Sequence, residues 1–427
     1  MAKGQTNASS GAKSIGARGA AVALLDAVLG EGQQLSQALS GAVMANLTPQ
    51  DRARAQRLAT DVLRQIEPLD ITLGQYLRRA PPLPVLNILR LALHEIATGA
   101  APHGVVNDAV ALAKTDRKST HQSGMINAVL RQIPSEPVSG PVQKLPRWLR
   151  QPLVHAYGRD AVAAIEAVQS QVPPLDLSFN PGAGKPGADL PEGTLLPTGS
   201  LRLTAPGQIT GLPGYAAGGW WVQDAAAALP ARLLAPDPGA RVLDLCAAPG
   251  GKTAQLAAMG AAVTALDISG PRMGRVAENL QRLGLNAELI VTDALHWQPE
   301  APFDAILLDA PCSASGTIRR HPDLPFAKDG SDLALLTALQ AQLLDRALGW
   351  LKPGGRLVYA TCSLLPEEGE HQLTAALSRH PGLRVLPASL PGLDPDWTTP
   401  LGALRLRPDY WADLGGMDGF FIVALTI

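Results

Sequence analysis

From Ala240 onward the chain repeats one rhythm, an apolar run, a glycine-bearing turn and an amphipathic stretch: "RVLDLCAAPGGKTAQLAAMG", "AVTALDISGPRMGRVAENLQRLG", "AELIVTDALHW", "FDAILLDAPC" and "GGRLVYATCS". Continuous apolar strands alternating with helices must be buried on both faces, which selects a doubly wound, largely parallel α/β sheet of the Rossmann-like kind. In such sheets ligands bind beyond the carboxyl ends of the strands. The residues just after each strand therefore decide what this half of the chain does.

The rest of the sequence reads differently. At 427 residues the chain exceeds a single core, which stops growing near ~250–300 residues, and 46% hydrophobic against 17% charged residues suits packed, globular domains. From about Ala17 to Ile133 apolar residues recur at three- and four-residue spacing, as in "LPVLNILRLALHEIATG", where Val85, Leu86, Leu89, Leu93 and Ile96 share a face. That pattern predicts a bundle of five or more helices, broken at "LTPQD", "RRAPPLP" and "GAAPHGVV", with Thr48 or Asn107 as caps. The proline-rich "IPSEPVSGPVQKLP" reads as a linker. The expected division is a helical domain over 1–135, a linker over 136–146, a small α/β adaptor over 147–235 and a catalytic domain over 236–427. The acid-free opening, "MAKGQTNASSGAKSIGARG", reads as a short tail.

Three cysteines, Cys246, Cys312 and Cys362, are too few for a disulfide framework and form no CxxC pair, so no metal site is expected and a reducing, cytoplasmic setting fits. No stretch of about 20 apolar residues suggests a membrane span. The net charge of −1 conceals an asymmetry: residues 1–135 carry 14 Lys/Arg against 9 Asp/Glu, a balance of +5, and the remainder balances at −6. The basic end is the candidate for contact with phosphates.

After the first strand of the repeat, "DLCAAPGGKT" is a glycine-rich turn entering a helix, where free backbone N–H groups favour an anionic or zwitterionic ligand. It nearly matches a phosphate-binding P-loop, but Cys246 stands where the first glycine belongs, and the G-x-G-x-x-G of a dinucleotide fold is missing. The second strand ends at Asp267, placed to accept both hydroxyls of a ribose, and the third at Asp293, placed to accept from an adenine amino group. Together they describe a nucleoside site without a polyphosphate.

The fourth strand ends at Asp309 and delivers Cys312; the fifth delivers Cys362. Two cysteines converging beside a nucleoside pocket point to one reaction. Carbon 5 of cytosine becomes nucleophilic when a thiolate adds to carbon 6, and a second group must then take the carbon 5 proton so that the thiol can leave. Asp309 suits the acid needed near ring nitrogen 3. Residue chemistry does not say which cysteine attacks. Cys246, inside the turn, reads as structural.

At these residues the chain resembles the RNA cytosine-5 methyltransferases of the RsmB type. "LDLCAAPGGKT", "LDAPCSASGTIRRHPD", "YATCSLLPEE" and the closing "DGFF" stand in family order and spacing, while "ILRLALHEI", "VVNDAVALAK" and "GMINAVLRQI" resemble a NusB-type RNA-binding domain. The resemblance implies S-adenosylmethionine as cofactor, held by Cys246, Ala247, Ala248, Pro249, Gly250, Gly251, Lys252, Asp267, Asp293 and Asp309. It implies Cys362 as nucleophile, Cys312 as the residue that releases the product, and small-subunit (16S) ribosomal RNA as partner; separately, a monomer is expected. The adaptor departs from the family at "LDLSFN", with Ser178 and Phe179 where Arg-Val is usual. "IRRHPD" is expected to extend Arg319, Arg320 and His321 toward RNA phosphates, and Trp220 and Trp221 to support the core. Deleting residues 1–135 is expected to weaken RNA binding and flatten its salt dependence, since fewer counterions are released, while cofactor binding survives; a salt titration of RNA affinity for both chains checks this.

Overall fold

The computed structural model describes residues 16–115, 117, 119–138, 140–182, 190–204 and 207–427; of the stretch read as a tail, residues 1–15 lie outside them. The chain forms two compact units, residues 1–144 with 321–328, and residues 145–320 with 329–427.

The first unit is helical: α1 (Ala17–Glu31), α2 (Leu35–Ala38), α3 (Ala42–Ala45), α4 (Pro49–Leu63), α5 (Ile66–Gly74), α6 (Leu83–Ala97), α7 (Pro102–Ala113) and α8 (Ser123–Leu130). Thr48 caps α4, its hydroxyl accepting from Asp51 N at 3.1 Å, with Pro49 fixing the first turn. Asn107 does not cap. It lies inside α7, where its amide pairs with His103 one turn back, and Pro102 opens that helix instead. In α6 the expected stripe is buried at Val85, Leu89, Leu93 and Ile96, and Leu86 is half-buried. The helix is also covered on its polar side, and partners answer each buried charge. Arg90 forks onto Asp70 at 2.7 and 2.6 Å, and Glu95 accepts from Arg18 at 2.6 and 2.9 Å. Arg18, Arg64 and Arg90 are thus spent on internal ion pairs, which lowers the number of arginines available for an external polyanion.

The second unit opens with α9 (Arg147–Tyr157) and α10 (Arg159–Gln169), then strands β1 (Leu175–Phe179), β2 (Thr194–Leu195), β3 (Leu201–Leu203) and β4 (Trp220–Val222), an antiparallel sheet in the order β2-β3-β1-β4. Both tryptophans of β4 are buried, as expected. Across β1 and β3, Arg202 grips Asp176 through two bonds of 2.7 Å, both residues being 3% exposed, and Arg202 also donates to Leu414 O at 2.9 Å. At the departure from the family pattern, Ser178 is buried with a hydroxyl that lacks a hydrogen-bond partner among the described residues, and Phe179 packs on the adaptor core.

The doubly wound domain follows: α11 (Leu229–Leu234), β5 (Arg241–Leu245), α12 (Gly251–Ala258), β6 (Ala262–Asp267), α13 (Gly270–Leu283), β7 (Glu288–Val291), β8 (Phe303–Asp309), α14 (Leu324–Ala327), α15 (Leu333–Gly349), β9 (Leu351–Thr361), α16 (Glu370–Arg379), β10 (Arg384–Leu386), β11 (Leu404–Leu406) and β12 (Phe420–Thr426). The segment carrying α14 groups with the first unit, where Leu35 N donates to Asp323 at 2.9 Å and Phe326 joins the helical core. The sheet runs β10-β12-β9-β8-β5-β6-β7, with β11 paired to β12. Its five strands from β9 to β7 are parallel, and β12 enters antiparallel beside β9. The order reverses between β5 and β8, the switch point where such sheets bind ligands. Among the described residues no helix is long and apolar enough to cross a membrane, and no group of three His, Cys, Asp or Glu side chains is placed to hold a metal.

Replacing Arg202 by Met leaves Asp176 buried and uncompensated. The expected loss is about 3–5 kcal/mol in urea unfolding, most of it recovered when Asp176→Leu is added.

Candidate functional site

The strand ends at the switch point are joined by side chains. Leaving β5, the chain turns sharply at Cys246, which takes a left-handed φ of 64°, passes a cis Ala248–Pro249 peptide and reaches Gly250 at φ 95°. Gly250 is required there twice over: by its φ, and because a Cβ would sit 2.9 Å from Val276 Cγ1 on α13. Asp267, at the end of β6 and 3% exposed, accepts from Ala248 N at 3.1 Å and from Ser269 N at 2.9 Å. An ionised carboxylate has about four acceptor positions, so these bonds orient Asp267 and leave capacity for a ligand's hydroxyls. At the start of α12, where the first N–H groups have no partners within the helix, Lys252 Nζ meets Asp309 Oδ2 at 2.7 Å. Burial opposes the charge on Lys252, but Asp309 outweighs it and the pKa is raised. Burial, with Asp267, Asp309 and Asp244 close by, pushes the Cys246 thiol far up, in keeping with its structural reading. Asp293 follows β7 and accepts from Leu295 N at 2.9 Å and faces His296 at 3.1 Å. Asp267 and Asp309 are tied to the glycine loop directly, whereas Asp293 stands apart from it.

The two remaining cysteines meet. Cys312 Sγ lies 3.4 Å from Cys362 Sγ, both half-buried. The hydrogen bond to Cys362, then burial, then the charges of Cys362 and Glu368 hold Cys312 well above the ordinary thiol range. Beneath the pair lies a polar network. Ser363 Oγ is 3.2 Å from the hydroxyls of both Ser313 and Ser315, and Ser315 Oγ accepts from Leu364 N at 2.9 Å. Glu368, fully buried, accepts from Ser313 N at 2.8 Å, Ser313 Oγ at 2.5 Å and Gln340 Nε2 at 3.0 Å. The "DGFF" motif braces the same loops: Gly316 N donates to Cys362 O at 2.9 Å, and Gly419 N to Gly316 O at 2.8 Å. A Cβ on Gly316 would lie 2.0 Å from the Gly419 carbonyl oxygen, so the two backbones pack with nothing between them.

The expectation that Arg319 reaches outward needs correction. Arg319 is 1% exposed and pairs with Asp224 and with Asp418, the latter at 2.9 Å, and donates to Gly415 O at 3.1 Å. Arg320, more exposed, is also held by Asp418. Two carboxylates distant in sequence capture the guanidinium, so Arg319 is a strut of the fold. His321 is exposed.

Residues 231–426 match the model of the 16S rRNA methyltransferase RsmB/F family, and residues 16–135 that of the NusB family. Ribosomal RNA small subunit methyltransferase B of Klebsiella pneumoniae is 36% identical over 425 residues, spanning 90% of this chain and 96% of the relative. The protein of that name from Erwinia tasmaniensis is 37% identical over 435 residues, spanning 94% and 96%. The chain belongs to the ribosomal RNA small subunit methyltransferase B family. A crystal structure of a methyltransferase homolog protein from Pyrococcus horikoshii, 31% identical, superposes with a TM-score of 0.55 over 65% of this chain and 94% of that one. As a member of this methyltransferase family the chain uses S-adenosylmethionine. The donor set fits that group: backbone N–H groups at a helix start suit its carboxylate, and an oriented buried carboxylate, Asp267, suits its ribose.

Sequence reasoning missed Glu368, quoted only as part of "PEE", because its partners lie 28 and 55 residues away. It also missed Asp244, fully buried under the glycine loop, which accepts from Thr253 Oγ1 at 2.5 Å; an acid inside an apolar strand was the available signal. Burial pushes the Asp244 carboxyl up to about 7, against the Thr253 hydrogen bond. Its folded value exceeds the unfolded value of about 3.9, so the folded state binds the extra proton and ionisation lowers stability as pH rises between the two. Asp244→Asn has no such titration. Its stability relative to the unsubstituted protein should therefore improve from about pH 4 to about pH 7 and level off above, measured by urea unfolding across that range.

Proposed function

We propose that this methyltransferase transfers a methyl group from S-adenosylmethionine to carbon 5 of a cytosine in small-subunit ribosomal RNA through a covalent bond between Cys362 and carbon 6. The observation that carries the reading is the approach of Cys312 Sγ to Cys362 Sγ at 3.4 Å, at the ends of adjacent parallel strands and next to Asp309. The names of its relatives support small-subunit ribosomal RNA as the substrate.

The loop from Cys246 to Lys252 and Asp267 hold the methyl donor, with Asp293 at the adenine end; the bound donor supplies an electrophilic methyl group. Asp309, kept in place by Lys252 at 2.7 Å, sits beside ring nitrogen 3 and steadies the positive charge there when that nitrogen takes up a proton from solvent during attack, a proton it returns as the thiol leaves. Cys362 takes the part of the attacking thiolate, as the family resemblance implies, and Cys312, whose thiol is raised by the hydrogen bond to Cys362 and by burial, keeps its proton. Attack at carbon 6 pushes the electron pair of the 5,6 double bond to carbon 5, which takes the methyl group. When Cys362 becomes a thioether it no longer accepts the hydrogen bond that was the main cause holding the proton on Cys312. Cys312 then releases that proton to solvent and removes the one on carbon 5; the freed pair restores the double bond, and Cys362 leaves as thiolate. One proton is released overall for each methyl transferred. The target base must be unpaired or flipped for the thiolate to reach carbon 6.

A P-loop NTPase is disfavoured: the first glycine is replaced by Cys246, and Asp309 occupies Lys252, the residue such a loop turns toward phosphate.

The cysteines separate by substitution. Cys362→Ala should abolish methylation and give no covalent RNA complex, whereas Cys312→Ala should still attack and methylate but stall, so that a denaturant-resistant protein–RNA adduct accumulates when S-adenosylmethionine is present. Gel analysis with small-subunit ribosomal RNA reads both, and the reverse pattern would exchange the two parts.

A further inference from the structure

Glu368 touches one neighbour of each cysteine, Ser313 after Cys312 and Thr361 before Cys362. On the Cys312 side, its carboxylate takes the backbone N–H and hydroxyl of Ser313 at 2.8 and 2.5 Å, and shares with Pro311 O the two hydrogens of the Gln340 amide, at 3.0 and 2.8 Å. On the Cys362 side, its backbone carbonyl accepts from Thr361 Oγ1 at 3.1 Å, and from Tyr359 OH at 3.0 Å. Ser363, the next residue after Cys362, returns to Ser313 at 3.2 Å. Glu368 and Gln340 are wholly buried, and no Lys or Arg pairs with this carboxylate among the described residues. Burying a carboxylate costs several kcal/mol even when it is hydrogen-bonded, and a neutral side chain would meet the same donors with less penalty.

We propose that Glu368 is the positioning residue of the two-cysteine site: its carboxylate fixes Ser313 directly and Pro311 through Gln340, and its carbonyl fixes the residue before Cys362, so that one residue sets where the two thiols meet. This rests on the covalent reading given above and adds a division of labour to it. The negative charge of Glu368 discourages a second negative charge on Cys312 while Cys362 carries the first, which keeps the two thiols from exchanging parts. Once Cys362 is bonded to the base, the same charge makes Cys312 a stronger base toward the carbon 5 proton.

Glu368→Gln keeps the shape and removes the charge. In the full-length protein the denaturant-resistant adduct is expected to persist as it does for Cys312→Ala, with release slowed about 10- to 100-fold, while the dissociation constant for S-adenosylmethionine, measured by calorimetry, stays within about twofold. A separate measurement needs no RNA: in a Cys362→Ala background, the pH profile of Cys312 alkylation, followed by mass spectrometry, should move to lower pH when Glu368→Gln is added and return when Glu368→Asp is used instead. An unchanged alkylation profile overturns the proposal, as does normal release of product from Glu368→Gln. Lack of adduct in Cys312→Ala itself would instead remove the covalent reading, and the alkylation profile would then decide the place of Glu368 alone.

Discussion

The register between β8 and β9 is the constraint on which the site depends. Asp309 stands opposite Ala360 in a parallel pairing, and Ala310 N continues the ladder to Ala360 O at 2.9 Å. Cys312 comes three residues after the first of these positions and Cys362 two after the second, so both thiols emerge from neighbouring strands at the same height. Side chains alternate faces along a strand, and a slip of one residue would turn one loop away from the other. The buried faces forbid that slip: Ile306, Leu307 and Leu308 on one strand and Leu357, Val358 and Tyr359 on the other are each 1% exposed or less. The hydrophobic core thus sets the spacing of the two thiols, and the polar network of Glu368 and three serines refines it.

What was legible in the sequence was what lies close in the chain. Strand, turn and helix recur over short distances, so the parallel sheet, the helical first unit and the strand-end placement of Asp267, Asp309, Cys312 and Cys362 could be read directly. The tryptophans of β4 were legible for the same reason, as bulky apolar residues in a short strand. What escaped depends on partners brought in from afar. Arg319 looks like a phosphate-binding arginine until Asp224 and Asp418, about a hundred residues to either side, fold around it. Asn107 has the composition of a cap, but Pro102 had already begun the helix. Glu368 is an acid in an acidic run, and only the loop of Cys312 reveals its purpose.

Electrostatics in the second unit follow one rule: a buried charge is kept where it holds two separate segments together. Arg202 joins β3 to Asp176 on β1 and to the carbonyl of Leu414, and Arg319 joins the loop after β8 to residues 224 and 418. Such pairs add little net stability over apolar substitutes, but they are specific, since any other arrangement strands a charge. The net charge of a segment is therefore a poor guide to its surface here, and the arginines that matter for a polyanion are those left over after internal pairing.

The insertion of β12 between β9 and β10 has a consequence for the order in which the molecule is made. Asp418, which neutralises Arg319, and Gly419, whose backbone lies against Gly316, are made after both cysteines, as is the strand that flanks β9. Strands β5 to β9 can pair earlier, but the loops that carry the thiols lack their brace until residues 418–426 arrive. A chain that has reached Cys362 but not residue 418 carries both thiols on loops that Asp418 and Gly419 do not yet hold together.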